Sequence, residues 1–296
     1  MKKFIVFATM LFMIAFSAFS GTNAAQYNAG TETADVAGLN SGLTVGVYNS
    51  FYSADAFKNS DGKSIGNFDT FNYTAMLRAF YLTDYCFLGA KYGFGVGIPV
   101  INNNFNFNGI KSDEFSLGDI YIEPVILKWA GDQYAIFATL GVFAPTSGFD
   151  FKDTAILGQG AWTGMGTLGA KYYLDSEKTW GLFSVARYEM SSENTDSKLR
   201  AGDVFTAEYG ITKAFKFGKD ALTIGAVGYN QVQSTDNKID GATITGEKMF
   251  TTAVGPALGY HFDSIGVDLG AKVYFELGAE NKPEGMKAIF AASKSF

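Results

Sequence analysis

The stretch IGVDLGAKVYFEL, from Ile265 to Leu277, decides the fold class because two kinds of side chain alternate along it. Every second residue, starting from Ile265, is apolar. The residues between them are mostly small, polar or charged, and they include Asp268, Lys272 and Glu276. A period of two is typical of a β-strand, whose successive side chains point to opposite faces. This segment is therefore predicted to be a strand with one apolar face and one polar face.

The same alternation recurs in Phe71–Leu82, in Tyr134–Ala144 and through most of the chain. It arises both in a water-soluble sandwich, with the apolar face inside, and in a membrane barrel, with the apolar face outside. Three observations favour the barrel. The segments span about 10–14 residues, which suits tilted strands that cross a bilayer. Short turns alternate with longer polar loops, and aromatic residues lie beside the short turns. We predict an all-β fold, a closed antiparallel transmembrane β-barrel of about 12 strands.

The expected strand boundaries follow from this pattern. The predicted strands are Leu43–Tyr52, Phe68–Leu82, Cys86–Ile98, Leu117–Lys128, Tyr134–Ala144, Trp162–Leu174, Trp180–Met190, Val204–Phe215, Leu222–Gln231, Met249–Phe262, Ile265–Leu277 and Met286–Phe296. A tight turn is expected at Thr83–Tyr85 and a polar loop at Pro99–Ser116.

The N-terminus has the features of a secretory signal. Lys2 and Lys3 precede the apolar run Phe4–Phe19, and small residues then allow cleavage after Ala24 or Ala25. A retained anchor helix is the alternative, but the run is short for a membrane span. We predict a signal peptide over residues 1–25, a tail or lumenal plug over 26–41, and an outer-membrane barrel over 42–296. An outer-membrane location implies contact with outer-membrane lipid.

Composition argues against several other functions. The net charge of -6 is unfavourable for nucleic-acid phosphates, so no nucleic-acid partner is expected. With one His and one Cys, the chain has few of the side chains that catalysis or metal binding usually requires. The single histidine, His261, lies beside Asp263 at a short turn. We expect no enzymatic activity, no cofactor and no metal site.

The inward positions of the strands carry charged residues of both signs. The lumen-lining candidates are Arg78, Lys91, Glu123, Lys171, Arg187, Glu208, Lys272 and Glu276. Arg187 and Glu208 lie on neighbouring strands, and we expect them to form a cross-strand pair. These charges form either a hydrated structural lattice or a binding site for a solute. Glycines alternate inward on the third strand, where they leave space for a passage or allow curvature.

Aromatic residues mark the external loops and the C-terminus. Phe105, Phe107, Phe149 and Phe151 fall in predicted external loops, where they gather an apolar solute or pack loop against loop. The chain ends in Phe296, in phase with the outward residues of the last strand. A terminal aromatic of this kind resembles the assembly signal of outer-membrane barrels, which makes the barrel-assembly machinery an expected partner.

Several short segments resemble a family of outer-membrane proteins named for the meta pathway of phenol degradation. The matching segments are Gly118–Pro124, Gly141–Thr146 with Gly148, Ala201–Phe205, Gly228–Gln231 with Thr235-Asp236, Gly255-Pro256, Gly259-Tyr260 and Ala279–Gly285. The resemblance implies a monomeric barrel that takes up hydrophobic or aromatic compounds. The expected function is passive passage of a small solute. The alternatives are a non-conducting structural or adhesion barrel that acts through its long loops, and a soluble lectin-like sandwich.

Overall fold

A computed structural model of the protein describes residues 25–31, 35–147 and 160–296. One helical turn, α1 (Asp35–Gly38), precedes the strands, and a 3-10 turn at Asp263–Ile265 separates two of them. The strands are β1 (Gly42–Lys58), β2 (Ser64–Ile65), β3 (Phe68–Phe87), β4 (Ala90–Phe107), β5 (Ile110–Leu117), β6 (Ile120–Ala130), β7 (Tyr134–Ala144), β8 (Thr163–Tyr173), β9 (Trp180–Ser191), β10 (Leu199–Arg200), β11 (Val204–Phe217), β12 (Asp220–Gln233), β13 (Asn237–Ile239), β14 (Ala242–Ile244), β15 (Phe250–Phe262), β16 (Val267–Glu280) and β17 (Lys282–Ser295). Within the described ranges, no helix is long and apolar enough to cross a membrane.

Twelve of these strands form one antiparallel sheet that closes on itself. In chain order they are β1, β3, β4, β6, β7, β8, β9, β11, β12, β15, β16 and β17, and each pairs with the next. Closure occurs at β1, where Tyr48 lies opposite Met76 of β3 and Ala291 of β17. A closed sheet has no unpaired edge, as the interior of a bilayer requires. The predicted closed barrel and its strand number are confirmed.

The alternation of each barrel strand separates an apolar outer face from a mixed inner face. In β7, the outward Leu140 is 59% exposed, whereas the inward Phe137 is fully buried. In β16, Leu277 is exposed and Tyr274 is buried. Exposed aromatic rings lie around the short-turn end of the barrel, at the membrane–water interface that amphipathic rings prefer. They include Tyr81, Tyr134, Tyr172, Trp180 and Phe215.

Several of the expected boundaries are wrong: β1 continues past Tyr52 to Lys58, and β17 begins at Lys282 and not at Met286. The tight turn expected at Thr83–Tyr85 is part of β3, and the hairpin instead turns at Leu88 and Gly89, which have φ of 51° and 76°. Two successive residues with positive φ are typical of the hairpin turns that match strand twist. Cys86 therefore lies near the end of the second barrel strand, which closes at Phe87, and does not begin the third.

The loop expected at Pro99–Ser116 is mostly strand. β4 continues to Phe107, and β5 folds back against it. Its asparagines pair in register with β3, as at Asn104 opposite Phe71. Above the bilayer the strands face water on both sides, so their polar residues do not indicate a loop.

The C-terminus seals the junction between the first and last strands. The N–H of Phe296 donates a hydrogen bond to the carbonyl of Leu43, at 2.9 Å. The ring of Phe296 is 70% exposed on the outer surface. Its role in barrel assembly remains a prediction.

Candidate functional site

The N-terminal tail, defined here as residues 25–31 and 35–41, lies inside the barrel. Ala25 packs against Val204 and Met249, at the ends of β11 and β15 that carry the long loops. At the other end, Lys128 of β6 donates a hydrogen bond to the carbonyl of Leu39. The long loops of such barrels are external and the short turns periplasmic. The tail therefore runs along the lumen from the external end to the periplasmic end.

Two groups of the tail donate hydrogen bonds to Glu208 of β11. Oε1 of Glu208 accepts hydrogen bonds from the hydroxyl of Tyr27, at 3.0 Å, and from the N–H of Gly30, at 2.5 Å. Its Oε2 accepts a hydrogen bond from Arg187 of β9, so the expected cross-strand contact is present. The guanidinium carbon of Arg187 lies 4.1 Å from the centroid of the Tyr27 ring. We call Arg187 and Glu208 the tail pair, because the tail supplies the donors that a buried ion pair needs.

Lysines of the wall hold the tail backbone beside this pair. Lys287 donates to the carbonyl of Ala29, at 2.9 Å, and Lys272 donates to that of Gly30, at 3.3 Å. Gly30 has a φ of 87°, and a Cβ there would lie 2.7 Å from the Tyr274 ring. Only glycine combines that backbone angle with so close an approach.

The first described residues of the tail contact two carboxylates. Oε2 of Glu189 accepts hydrogen bonds from the N–H of Gln26, at 2.7 Å, and from that of Tyr27, at 3.0 Å. Asp119 accepts a hydrogen bond from the side-chain amide of Gln26, at 2.7 Å. The external end of the tail is thus anchored to β9 and to the segment before β6.

A second buried Arg–Glu pair joins two strands of the wall. Arg78 of β3 and Glu123 of β6 are 2.6 Å apart, between Nη2 and Oε2. The hydroxyl of Tyr121 donates to Oε1 of Glu123, at 3.1 Å. The guanidinium carbon of Arg78 lies 4.1 Å from the centroid of the Phe80 ring. We call Arg78 and Glu123 the wall pair.

Two inward glycines of β4 allow the wall pair to meet across that strand. A Cβ on Gly95 would lie 3.5 Å from Oε2 of Glu123, and a Cβ on Gly97 would lie 3.5 Å from Cγ of Arg78. The space above these glycines is therefore occupied by the side chains of neighbouring strands. The sequence allowed these glycines to leave space for a passage or to permit curvature. No open passage runs along Gly95 and Gly97, because side chains fill the space above them.

Further charged residues line the external half of the lumen. Glu276 accepts hydrogen bonds from Tyr52, at 2.7 Å, from Tyr229, at 3.1 Å, and from Lys282, at 3.2 Å. Because the carboxylate of Glu276 is fully buried, these donors replace the water it would otherwise bind.

Aromatic rings also line the lumen, a feature that consideration of the charged residues alone misses. The buried rings are Phe80, Tyr121, Phe137, Phe143, Phe183, Tyr229 and Tyr274, together with Tyr27 of the tail. Inward glycines seat some of them, because a Cβ on Gly169 would collide with Phe137 and a Cβ on Gly210 would collide with Phe183. The signal was present in the sequence, since Phe137 and Phe143 occupy inward positions in the alternation of β7.

The remaining lumen candidates lie near the periplasmic rim. Lys91 donates to the hydroxyl of Ser41, at 2.5 Å, and lies 3.5 Å from Asp84. The Nζ of Lys171 is 5.2 Å from the ring centroid of Tyr173. Neither lysine takes part in the tail pair or the wall pair.

The external aromatic candidates differ in position from the expectation. Phe105 and Phe107 belong to β4 and are buried, and Phe107 packs against Phe57 and Phe68. They therefore stabilise the external ends of the strands. Phe149 and Phe151 lie outside the described residues.

His261 is on the rim, where its Nδ1 lies 2.8 Å from Oδ1 of Asp268. Among the residues that the structure describes, at this rim or at any other place, no group of three or more His, Cys, Asp or Glu side chains is positioned to hold a metal ion.

Comparison with known proteins gives the family. The family model described as "Putative MetA-pathway of phenol degradation" matches residues 54–291, which is most of the chain. The chain belongs to this family. The resemblance inferred from the short segments is therefore confirmed. No curated protein matches the chain.

Solved structures with similar folds are outer-membrane barrels. An outer membrane channel from Pseudomonas putida F1 is similar with a TM-score of 0.77 and 18% identity, covering 92% of this chain and 100% of that one. The β domain of the Bordetella autotransporter BrkA is similar with a TM-score of 0.57 and 11% identity, covering 87% and 100%. The transport unit of the Escherichia coli autotransporter AIDA-I gives 0.51 and 9%, covering 96% and 97%. The shared fold and the apolar outer face place this protein in the outer membrane.

Proposed function

We propose that this protein lets small apolar or aromatic solutes cross the outer membrane by passive diffusion. The observation that carries this proposal is the set of buried rings along the lumen, which includes Phe137, Phe183 and Tyr229. An apolar solute gains about 25 cal/mol for each Å² that it removes from water against such rings. A sugar or an ion would lose hydration against these rings, and charged groups of the lumen such as Arg187, Glu208 and Glu276 already have partners in the protein. The role that we propose involves no catalytic step.

In this proposal, the N-terminal tail is a removable plug. The tail contacts the wall through hydrogen bonds to polar side chains, such as those from Tyr27 and Gly30 to Glu208, and through apolar packing of Tyr27 and Ala29. Water that enters the lumen can replace such bonds one at a time, and each bond to a charged carboxylate contributes about 1.5–3 kcal/mol. The tail can then move aside while the barrel strands stay paired.

Uptake by intact cells tests the proposal. A phospholipid bilayer is itself permeable to apolar solutes, so the assay needs the native outer membrane of a strain that lacks the chromosomal gene. We expect the restored gene to raise uptake of a neutral monoaromatic compound and to leave uptake of a monosaccharide and of chloride unchanged. Equal uptake of the aromatic compound with and without the gene would contradict the proposal.

The alternative is a non-conducting structural or adhesion barrel. It is favoured by the tail, which fills the lumen beside the tail pair. Planar-bilayer recordings separate the two functions when the wild type is compared with a variant whose tail is displaced, such as Gly30→Val. If neither protein conducts and neither changes aromatic uptake, the structural function is correct.

A further inference from the structure

We propose that Glu189 is the counter-ion of the α-ammonium group of the mature chain. In this proposal, removal of the signal peptide creates one of the contacts that hold the tail in the lumen. The site is a binding site for the protein's own N-terminus, at the external end of the barrel.

Glu189 is a buried carboxylate whose hydrogen-bonding capacity is only half used. The residue is 1% exposed. Its Oε2 accepts the N–H groups of Gln26 and Tyr27, whereas its Oε1 has no hydrogen-bond partner among the described residues. The nearby Arg187 is already in contact with Glu208. A buried carboxylate normally has a hydrogen-bond donor on each oxygen, so Oε1 of Glu189 lacks the group that would complete its site.

The predicted cleavage sites place such a group beside Glu189. Cleavage after Ala25 converts the nitrogen of Gln26, 2.7 Å from Oε2 of Glu189, into an ammonium group. Cleavage after Ala24 places the ammonium group one residue earlier, on Ala25, which packs in a buried cluster with Val204. An ammonium group carries three donors, enough to reach both oxygens of a carboxylate. Cleavage after Ala25 therefore places the positive charge within hydrogen-bond distance of Glu189, and cleavage after Ala24 places it on the adjacent residue.

The order of events follows from the direction of the tail. The N-terminal end of the tail lies at the external end of the lumen, so an uncleaved apolar run such as Phe4–Phe19 would have to pass through or around the barrel. Cleavage must come first, and the ammonium group is then available when the tail enters. This inference rests on the position of the tail and does not depend on solute passage.

Mass spectrometry of the protein purified from outer membranes is the first test. The intact mass is expected to correspond to a chain that begins at Ala25 or at Gln26, and the value identifies which. A chain that begins elsewhere would overturn the proposal. A Gln26 cyclised to pyroglutamate would also overturn it, because the cyclic form has no ammonium group.

Amine labelling of the folded protein is the second test. At neutral pH, an amine-reactive ester modifies the α-amino group in preference to lysine, because the α-amino pKa is lower. We expect slow labelling of the folded wild type. Glu189→Gln should raise the rate about 100-fold, which corresponds to about 3 kcal/mol for breaking a buried pair. Glu193→Gln, which alters an exposed carboxylate just beyond β9, should not change the rate. Equal rates for Glu189→Gln and the wild type would contradict the proposal.

Two measurements keep the result interpretable. Heat modifiability on a gel shows whether each variant has formed a barrel. Glu189→Asp keeps the charge, so it should fold and label at a rate between those of the wild type and Glu189→Gln. If Glu189→Gln does not fold, the labelling rate of Glu189→Asp is used to test the proposal. Labelling of folded Glu189→Asp as fast as the unfolded chain overturns the proposal.

Discussion

The tail pair and the wall pair have the same local chemistry but different attachments. In each, the arginine contacts Oε2 of the glutamate and a tyrosine hydroxyl donates to Oε1. In each, a ring centroid lies 4.1 Å from the guanidinium carbon. In the wall pair these groups come from barrel strands. In the tail pair, Tyr27 supplies both the hydroxyl that donates to Glu208 and the ring that lies against Arg187.

This difference determines which pair can be taken apart. Tyr121 and Phe80 are held by strands that pair with their neighbours, as at Tyr121 opposite Phe143 and Phe80 opposite Gly95. The tail residues 25–31 belong to no strand. The tail is therefore retained by side-chain contacts, and it can leave without opening the sheet. One arrangement of groups thus serves as a fixed brace in one place and as an anchor for a movable segment in the other.

The largest expected effect comes from removing either arginine. Arg187→Met and Arg78→Met each leave a buried glutamate without its partner, and each should lower the free energy of unfolding by about 3–5 kcal/mol. Only Arg187→Met should also release the tail, because only that arginine stacks on Tyr27. Urea titration in detergent measures the first effect, and proteolysis of the tail in the folded barrel measures the second. Tail release in Arg78→Met would remove the distinction between the two pairs.

The predictability of the two pairs from the sequence also differs. Arg187 and Glu208 lie on adjacent barrel strands with the correct inward parity, so their contact could be predicted. Arg78 and Glu123 lie on strands separated by β4, and their contact depends on Gly95 and Gly97. Alternation indicates which face a side chain occupies, but it does not show how far that side chain reaches across the lumen.

The position of the tail could not be predicted from strand periodicity. Its residues alternate with no regular period, and the partners of Tyr27 and Gly30 come together only when the barrel closes. The sequence allowed either a periplasmic tail or a plug. The bounds of β7 were predicted to the residue, because its alternation is continuous between polar turns.

An intermediate effect is expected from displacing the tail backbone. Gly30→Val and Gly109→Val both place a β-branched residue at a positive φ, 87° and 90°, which costs about 1–2 kcal/mol. Only at Gly30 does the new side chain also meet a neighbour, Tyr274. We expect Gly30→Val to increase single-channel conductance in planar bilayers.

Gly109→Val is the matched control, because a Cβ at this turn between β4 and β5 meets no atom within 4 Å. It should match the wild type in conductance while showing a similar backbone penalty in unfolding. If both variants conduct equally, loosening of the barrel, and not displacement of the tail, explains the current.

The smallest expected effect comes from removing one hydroxyl from each pair. Tyr27→Phe and Tyr121→Phe each delete a hydrogen bond to a glutamate Oε1 and keep the ring, so each should cost about 1.5 kcal/mol, the lower end of the range for a bond to a charged group. In Tyr27→Phe, the attachment of the tail is weakened by that amount, and hydrogen exchange at the N–H of Gly30 should accelerate about tenfold. In Tyr121→Phe, the exchange rate at Gly30 should stay at the wild-type value, because the wall pair does not contact the tail N–H groups that Glu208 accepts. Equal acceleration in both variants would mean that the two pairs open together, and the tail would then be part of the wall and not a separate plug.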